Sequence, residues 1–115
     1  MKKVMLVVFN GEEMCFVHVL LNALDMAERS WEAKIILEGA STKLIPEIEK
    51  EGHFLNALWV KVKDKGLVEG ACRACSNKMA MLKDAEKAGL RLLDDMSGHP
   101  GLSGYMENGF EIITF

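Results

Sequence analysis

Residues 3–11 read Lys3-Val4-Met5-Leu6-Val7-Val8-Phe9-Asn10-Gly11, an apolar run without alternation that a turn pair closes. A strand apolar on both faces belongs inside a sheet covered on both sides, the usual setting of parallel sheets. It reads as the first, central strand. From Glu12 to Ser30 the period changes, and Phe16, Val19, Leu20, Ala23, Met26 and Ala27 share one broad helical face. Glu12 and Glu13 fall in the first turn, where the helix dipole favours acids. Strand followed by helix makes a βα unit.

The second strand is Trp31-Glu32-Ala33-Lys34-Ile35-Ile36-Leu37-Glu38-Gly39, closed by glycine. Ser41 or Thr42 can cap a short helix that carries Pro46 in an early turn. Phe54 to Lys63 fits two templates: Leu55, Leu58, Trp59 and Val62 at helical spacing, or Leu58, Val60 and Val62 in strand alternation. Helix is the favoured reading. Gly66 to Ala71 is a short strand, followed by Cys72-Arg73-Ala74-Cys75 and a helical run through Met79, Met81, Leu82 and Ala85 to the stop at Gly89. Leu90–Leu93 supplies a fourth strand, Leu102–Asn108 a last short helix and Phe110–Phe115 a fifth strand.

Alternating strands and helices predict an α/β domain over residues 1–115, with a mainly parallel sheet, helices on both faces and right-handed crossovers. In such sheets ligands meet the loops beyond the carboxyl ends of the strands. Cys15 with His18, Ser41-Thr42, Cys72 to Cys75 and Gly98-His99-Pro100-Gly101 all follow strands, so they are expected to crowd one edge.

Composition bounds the function. The 115 residues suit one domain that buries roughly two-thirds of the surface its unfolded chain exposes. A net charge of −3 gives no basic footprint for nucleic acid. No apolar run approaches the roughly 18 residues of a membrane span. Met1-Lys2-Lys3 and the apolar run mimic a signal peptide, but Asn10-Gly11-Glu12-Glu13 interrupts it without a cleavage site. Three cysteines, an odd number without export signals, predict reduced thiols and a cytoplasmic location.

The candidate catalytic residues are Cys72 and Cys75. A helix N-terminus lowers a thiol pKa, Arg73 adds a cation, and the two-residue gap lets one sulfur resolve a disulfide or mixed species formed by the other. The same C-x-x-C pattern also serves metals, and free cysteine is commonly just a small buried hydrophobe. A metal would need more ligands. Cys15-x-x-His18 places a thiol and an imidazole one helical turn apart, and with Cys72 and Cys75 would complete a tetrahedral Cys3His set. On an apolar helix, however, such residues commonly pack.

His99 lies in a glycine-flanked loop where it can act as acid, base or hydrogen-bond partner, the bland alternative being a solvated histidine. His53 reads as surface. Gly98, Gly101 and Gly104 lack the strand-turn-helix context of a dinucleotide fingerprint, so nicotinamide binding is rejected and no organic cofactor is expected. The eight methionines read as core fillers. Asp94 and Asp95, adjacent at a strand end, point to opposite faces and make a poor acid/base pair.

Taken together, the apolar first strand with Asn10-Gly11, Ile35-Ile36-Leu37-Glu38-Gly39-Ala40, Gly70-Ala71-Cys72-Arg73-Ala74-Cys75 and the closing Gly109-Phe110-Glu111-Ile112-Ile113-Thr114-Phe115 resemble the DsrE family, also described as YchN-like. The likeness spans nearly the whole chain. It implies a three-layer α/β/α domain with a five-stranded parallel sheet, assembled as a trimer or hexamer. In sulfur-relay members a cysteine after the third strand carries a persulfide, and the matching position is Cys72, with Cys75 on the opening turn of the helix. The resemblance thus implies a sulfur carrier or sulfurtransferase working with a sulfur donor or acceptor protein. The second cysteine departs from the relay subunits, and no separate partner-binding segment is evident. The alternative is a non-catalytic oligomeric binding module that holds a metal or small ligand at the Cys72/Cys75 edge.

The apolar inventory of Trp31, Phe54, Leu55, Trp59, Leu102, Tyr105 and Met106 is large for a small interior. Unless a partner covers them, some of these side chains form an exposed patch, and symmetric assembly buries such a patch with one gene product. Light scattering at micromolar concentration is expected to give a multiple of 12.8 kDa, and a monomer mass that persists as concentration rises would contradict assembly.

Overall fold

In a computed structural model describing residues 1–115, the unbroken apolar run becomes β1 (Lys3–Val8), with Val4 to Val8 at most 2% exposed. It is joined by β2 (Glu32–Leu37), β3 (Val68–Cys72), β4 (Leu92–Leu93) and β5 (Phe110–Thr114) in one all-parallel sheet of order β4-β3-β2-β1-β5. The middle strand is therefore β2. β1 is interior, hydrogen-bonded on both sides, but lies one place off centre. The helices are α1 (Glu13–Glu28), α2 (Ile45–Ile48), α3 (Asn56–Asp64), α4 (Arg73–Lys78), α5 (Leu82–Lys87) and α6 (Ser103–Glu107). None is long and apolar enough to cross a membrane.

The strand order dictates the layers. Steps from β1 through β4 run in one direction, so right-handed crossovers place α1 to α5 on one face. The return from β4 to β5 reverses direction and places α6 on the other, giving the expected three-layer α/β/α arrangement. On the first face Val4, Leu6 and Val8 pack with Ile35, Leu37, Phe16 and Trp59 in a 20-residue core. On the second, Met5, Val7, Ile36 and Leu93 form a smaller cluster under Leu102 and Tyr105 of the α6 region.

Local departures from the sequence reading have physical causes. Ser41 and Thr42 lie in a 3₁₀ turn, Gly39–Leu44, and do not cap α2. The Ser41 hydroxyl instead sits 2.8 and 2.7 Å from the Val8 and Glu38 carbonyl oxygens, tying the ends of β1 and β2 together. The helical run after Cys72 breaks into α4 and α5 because Ala80 adopts φ 59°, and β4 keeps only two of its four expected residues. Leu55 and Trp59 are fully buried, Trp59 tilted against Phe16 with ring centroids 6.1 Å apart. Of the apolar inventory expected at a surface patch, Phe54 and Met106 are strongly exposed, at 59% and 60%.

One irregularity sets where β3 meets its outer neighbour. Ile35 pairs with Val68 but Ile36 pairs with Gly70, so Glu69 is an extra residue that bulges β3. At Gly70 a Cβ would lie 2.5 Å from the Arg91 carbonyl oxygen, and that oxygen accepts a 2.9 Å hydrogen bond from the Ala71 N–H. Only glycine allows this approach. Gly70→Ala is expected to lower stability by about 2 kcal/mol, the scale of an overpacked contact. Gly104→Ala, whose added Cβ meets nothing within 4 Å, should be neutral or slightly stabilising. Urea unfolding of both variants checks this, and superimposable curves would contradict it.

Candidate functional site

Cys72 is both the last residue of β3 and the N-cap of α4, with extended φ −63° and ψ 123°. Its sulfur occupies the place of the oxygen in a serine or aspartate cap. The Cys75 N–H, one turn on, donates to the Cys72 Sγ at 3.3 Å. Cys72 is fully buried and Cys75 half-buried.

The loop after β4 brings a third group. Met96 and His99 exchange backbone hydrogen bonds of 2.7 and 2.9 Å, Gly98 takes φ 89°, and its carbonyl accepts from the Ala74 N–H at 2.8 Å. The last bond fastens the loop to the first turn of α4. His99 Nδ1 then lies 3.1 Å from Cys72 Sγ and 3.7 Å from Cys75 Sγ. A fourth group, Glu38, is the first residue after β2 and is only 6% exposed. The ligating atoms of Glu38, Cys72, Cys75 and His99 all lie within 4.8 Å of one another. Neighbouring parallel strands that end together thus deliver a carboxylate, two thiols and an imidazole to one spot.

Burial sets the electrostatics. It pushes the Glu38 carboxyl above its ordinary value, against the opposing effects of His99 and a hydrogen bond with Cys72. The Cys72 thiol is pushed up to about 12, chiefly by burial. The Cys75 backbone N–H opposes that rise, while the Cys75 side chain and the Glu38 carboxylate add to it. This corrects the expectation of a depressed Cys72 thiol. α4 is only six residues long, and Arg73 turns outward to Asp94 with Nε 2.9 Å from Oδ2, so neither offsets desolvation.

The expected crowding at the carboxyl edge holds for Cys72, Cys75 and His99, and Ser41 lies there too as the tie between the ends of β1 and β2, but Cys15 and His18 do not join the two thiols. Cys15 accepts a 3.6 Å hydrogen bond from Asn10 and His18 is exposed, so the Cys3His set does not form. His53 is half-buried and paired: its Nε2 lies 2.6 Å from Glu13 Oε2, and its Nδ1 accepts from the Leu55 N–H at 3.1 Å. It ties α1 to the segment before α3. Asp94 pairs with Arg73, while Asp95 accepts from the Gly101 N–H at 3.1 Å and shapes the loop. Glu38 was the residue missed. Its signal was a charge directly after the buried run Ile35-Ile36-Leu37, level with the station that Cys72 holds on β3.

The donor set suits a transition metal. In tetrahedral zinc, bonds of about 2.3 Å to sulfur and about 2.0–2.1 Å to nitrogen put a sulfur and a nitrogen about 3.6 Å apart. The observed 3.1 and 3.7 Å bracket that separation.

No family model matches the chain. It is 38% identical over 96 residues to the uncharacterized protein MJ0733 of Methanocaldococcus jannaschii, covering 84% of this chain and 76% of that one. An uncharacterized protein of Archaeoglobus fulgidus is 40% identical over 55 residues, 48% of this chain and 88% of its own length. Among solved structures, the conserved protein of unknown function BT1422 from Bacteroides thetaiotaomicron aligns with TM-score 0.72 over 98% of this chain and 95% of that one. At 21% identity this likeness shows the fold alone.

In chelator-treated protein near neutral pH, iodoacetamide is expected to label Cys15 and Cys75 before Cys72, by peptide mass mapping. Labelling of Cys72 first would contradict the buried, protonated thiol. Since folding raises this thiol from 9.0 to about 12, its effect on stability is absent below about pH 9, and metal-free protein weakens as pH climbs towards about 12.

Proposed function

This chain belongs to the family of the Methanocaldococcus jannaschii protein MJ0733, and we propose that it is a metal-binding module holding one divalent transition ion, zinc by preference, between Glu38, Cys72, Cys75 and His99. The observation that carries this reading is the mutual approach of the four ligating atoms to within 4.8 Å. Thiolate and imidazole donors select zinc and its neighbours over calcium or magnesium, which take oxygen shells. The C-x-x-C spacing is usual for zinc, and the ligands reach it from the ends of β2 and β3, the first turn of α4 and the loop after β4.

Charge supports the same reading. A buried carboxylate and a buried thiol are costly as lone anions, and a divalent cation between them removes that cost while stabilising both ionised forms. Cys75 and His99 are only half-buried, so an ion can enter from that side.

The DsrE resemblance supplies a second reading, a persulfide on Cys72 in a sulfur carrier or sulfurtransferase. The Cys75 N–H at 3.3 Å and His99 Nδ1 at 3.1 Å favour it, since both are placed to bind a sulfur anion. Complete burial of Cys72 weighs against it, because a sulfur donor must reach that atom. Homo-oligomeric assembly accompanies either reading, with exposed Phe54 and Met106 as apolar surface for a second copy to cover.

Protein purified without chelator is expected to carry about one zinc per chain by elemental analysis. Cys75→Ser, His99→Ala and Glu38→Ala should each bind zinc more than about tenfold more weakly, since each removes a direct ligand. Chelation should leave the protein folded, because none of the four ligands belongs to the 20-residue main core. It should nevertheless lower stability, by about 2.7 kcal/mol relative to zinc present at a hundred times its dissociation constant. Metal-free protein of unchanged stability that gains a reductant-labile sulfur atom from a polysulfide would overturn the metal reading in favour of the persulfide.

A further inference from the structure

Resting on the metal reading, we propose that Cys72 and Cys75 form a two-electron switch: a low-molecular-weight disulfide oxidises the pair to an intramolecular disulfide and ejects the metal ion, with Cys75 attacking and Cys72 resolving.

The pair is built for closure without backbone rearrangement. Cys72 caps α4 and Cys75 lies three residues on, with its N–H bonded to the Cys72 sulfur at 3.3 Å. Residues three apart on a helical turn have Cα atoms about 5 Å apart, inside the window of about 4.4–6.8 Å that a disulfide requires. The two sulfurs already lie within 4.8 Å, so side-chain rotation supplies the remaining approach.

The order of events follows from exposure. Cys75 is half-buried and meets a reagent from solvent, whereas Cys72 is fully buried and can reach only a neighbour. Attack by the Cys75 thiolate on R–S–S–R forms Cys75–S–S–R and releases one thiolate, RS⁻. The Cys72 sulfur then attacks the Cys75 sulfur, forms the Cys72–Cys75 bond and releases a second RS⁻. The two cysteine sulfurs lose two electrons and the reagent gains them. The ion departs as a divalent cation, and two protons from water convert both RS⁻ to RSH. Cys15 is held by Asn10 outside the cluster, so it does not compete as the resolving sulfur.

Closure removes half the ligand set in one step. Glu38 and His99 remain, too few to hold zinc against water in a site that prefers four protein ligands. Binding is thereby coupled to the thiol–disulfide poise of the surroundings and is restored by reductant.

The test uses full-length zinc-loaded protein carrying Cys15→Ser, exposed to oxidised glutathione with a chromophoric zinc indicator and intact-mass readout. The expected result is one zinc released per disulfide formed, a loss of two hydrogens in mass and rebinding after reduction. In chelated protein, Cys72→Ser should trap glutathione on Cys75, while Cys75→Ser should leave Cys72 unmodified. Zinc retained by unoxidised protein would overturn the switch and leave the metal reading standing. Failure to load zinc at all would overturn the metal reading itself, and glutathione trapped on Cys72 in place of Cys75 would overturn the assigned order.

Discussion

The candidate site depends on one hydrogen bond, from the Ala71 N–H to the Arg91 carbonyl at 2.9 Å, made at the point where Gly70 lets the two backbones approach. β4 is only two residues long and cannot hold its place by ladder length. The bond aligns Ala71 with Leu92 and Cys72 with Leu93, so the loop that carries His99 departs beside the first turn of α4. From there the Ala74–Gly98 bond brings the imidazole over the two sulfurs. On the other flank, Ser41 ties the ends of β1 and β2 and so fixes the strand end from which Glu38 projects.

The fold therefore concentrates groups that are in tension when left alone. Burial raises both the Glu38 carboxyl and the Cys72 thiol, and the Glu38 carboxylate further disfavours the Cys72 thiolate. Bury such a pair without a counter-charge and stability suffers; a cation turns the same burial into selectivity, because the site rewards whatever restores both charges. A thiol pushed up to about 12 is a poor free nucleophile near neutral pH, so reactivity at this edge passes to the more accessible Cys75. The same asymmetry gives the oxidative closure its direction.

Much of the fold was legible because it rests on local period. The apolar run at Val4 to Phe9, the helical face around Phe16 and the glycine stops at Gly39 and Gly89 report their elements directly. The C-x-x-C at a strand end was legible for the same reason. What escaped depends on tertiary register. The bulge at Glu69 accompanies the close approach of Gly70 to Arg91, more than twenty residues away, and the glycine inside the strand is its one local signal. Cys15 and His18 share a helical turn, yet spacing says nothing of where that turn sits relative to Cys72. Glu38 was visible as a charge closing a buried strand, but its convergence with His99 required knowing that β2, β3 and β4 are neighbours. The raised Cys72 thiol also escaped, because a helix dipole follows from local sequence and burial does not.

The proposed metal centre would tie these features together and is open to direct inspection by X-ray absorption at the zinc edge of the loaded protein. The account predicts a four-coordinate ion with two sulfur scatterers at about 2.3 Å and two nitrogen or oxygen scatterers at about 2.0–2.2 Å. A shell of nitrogen and oxygen alone, with no sulfur at that distance, would contradict it.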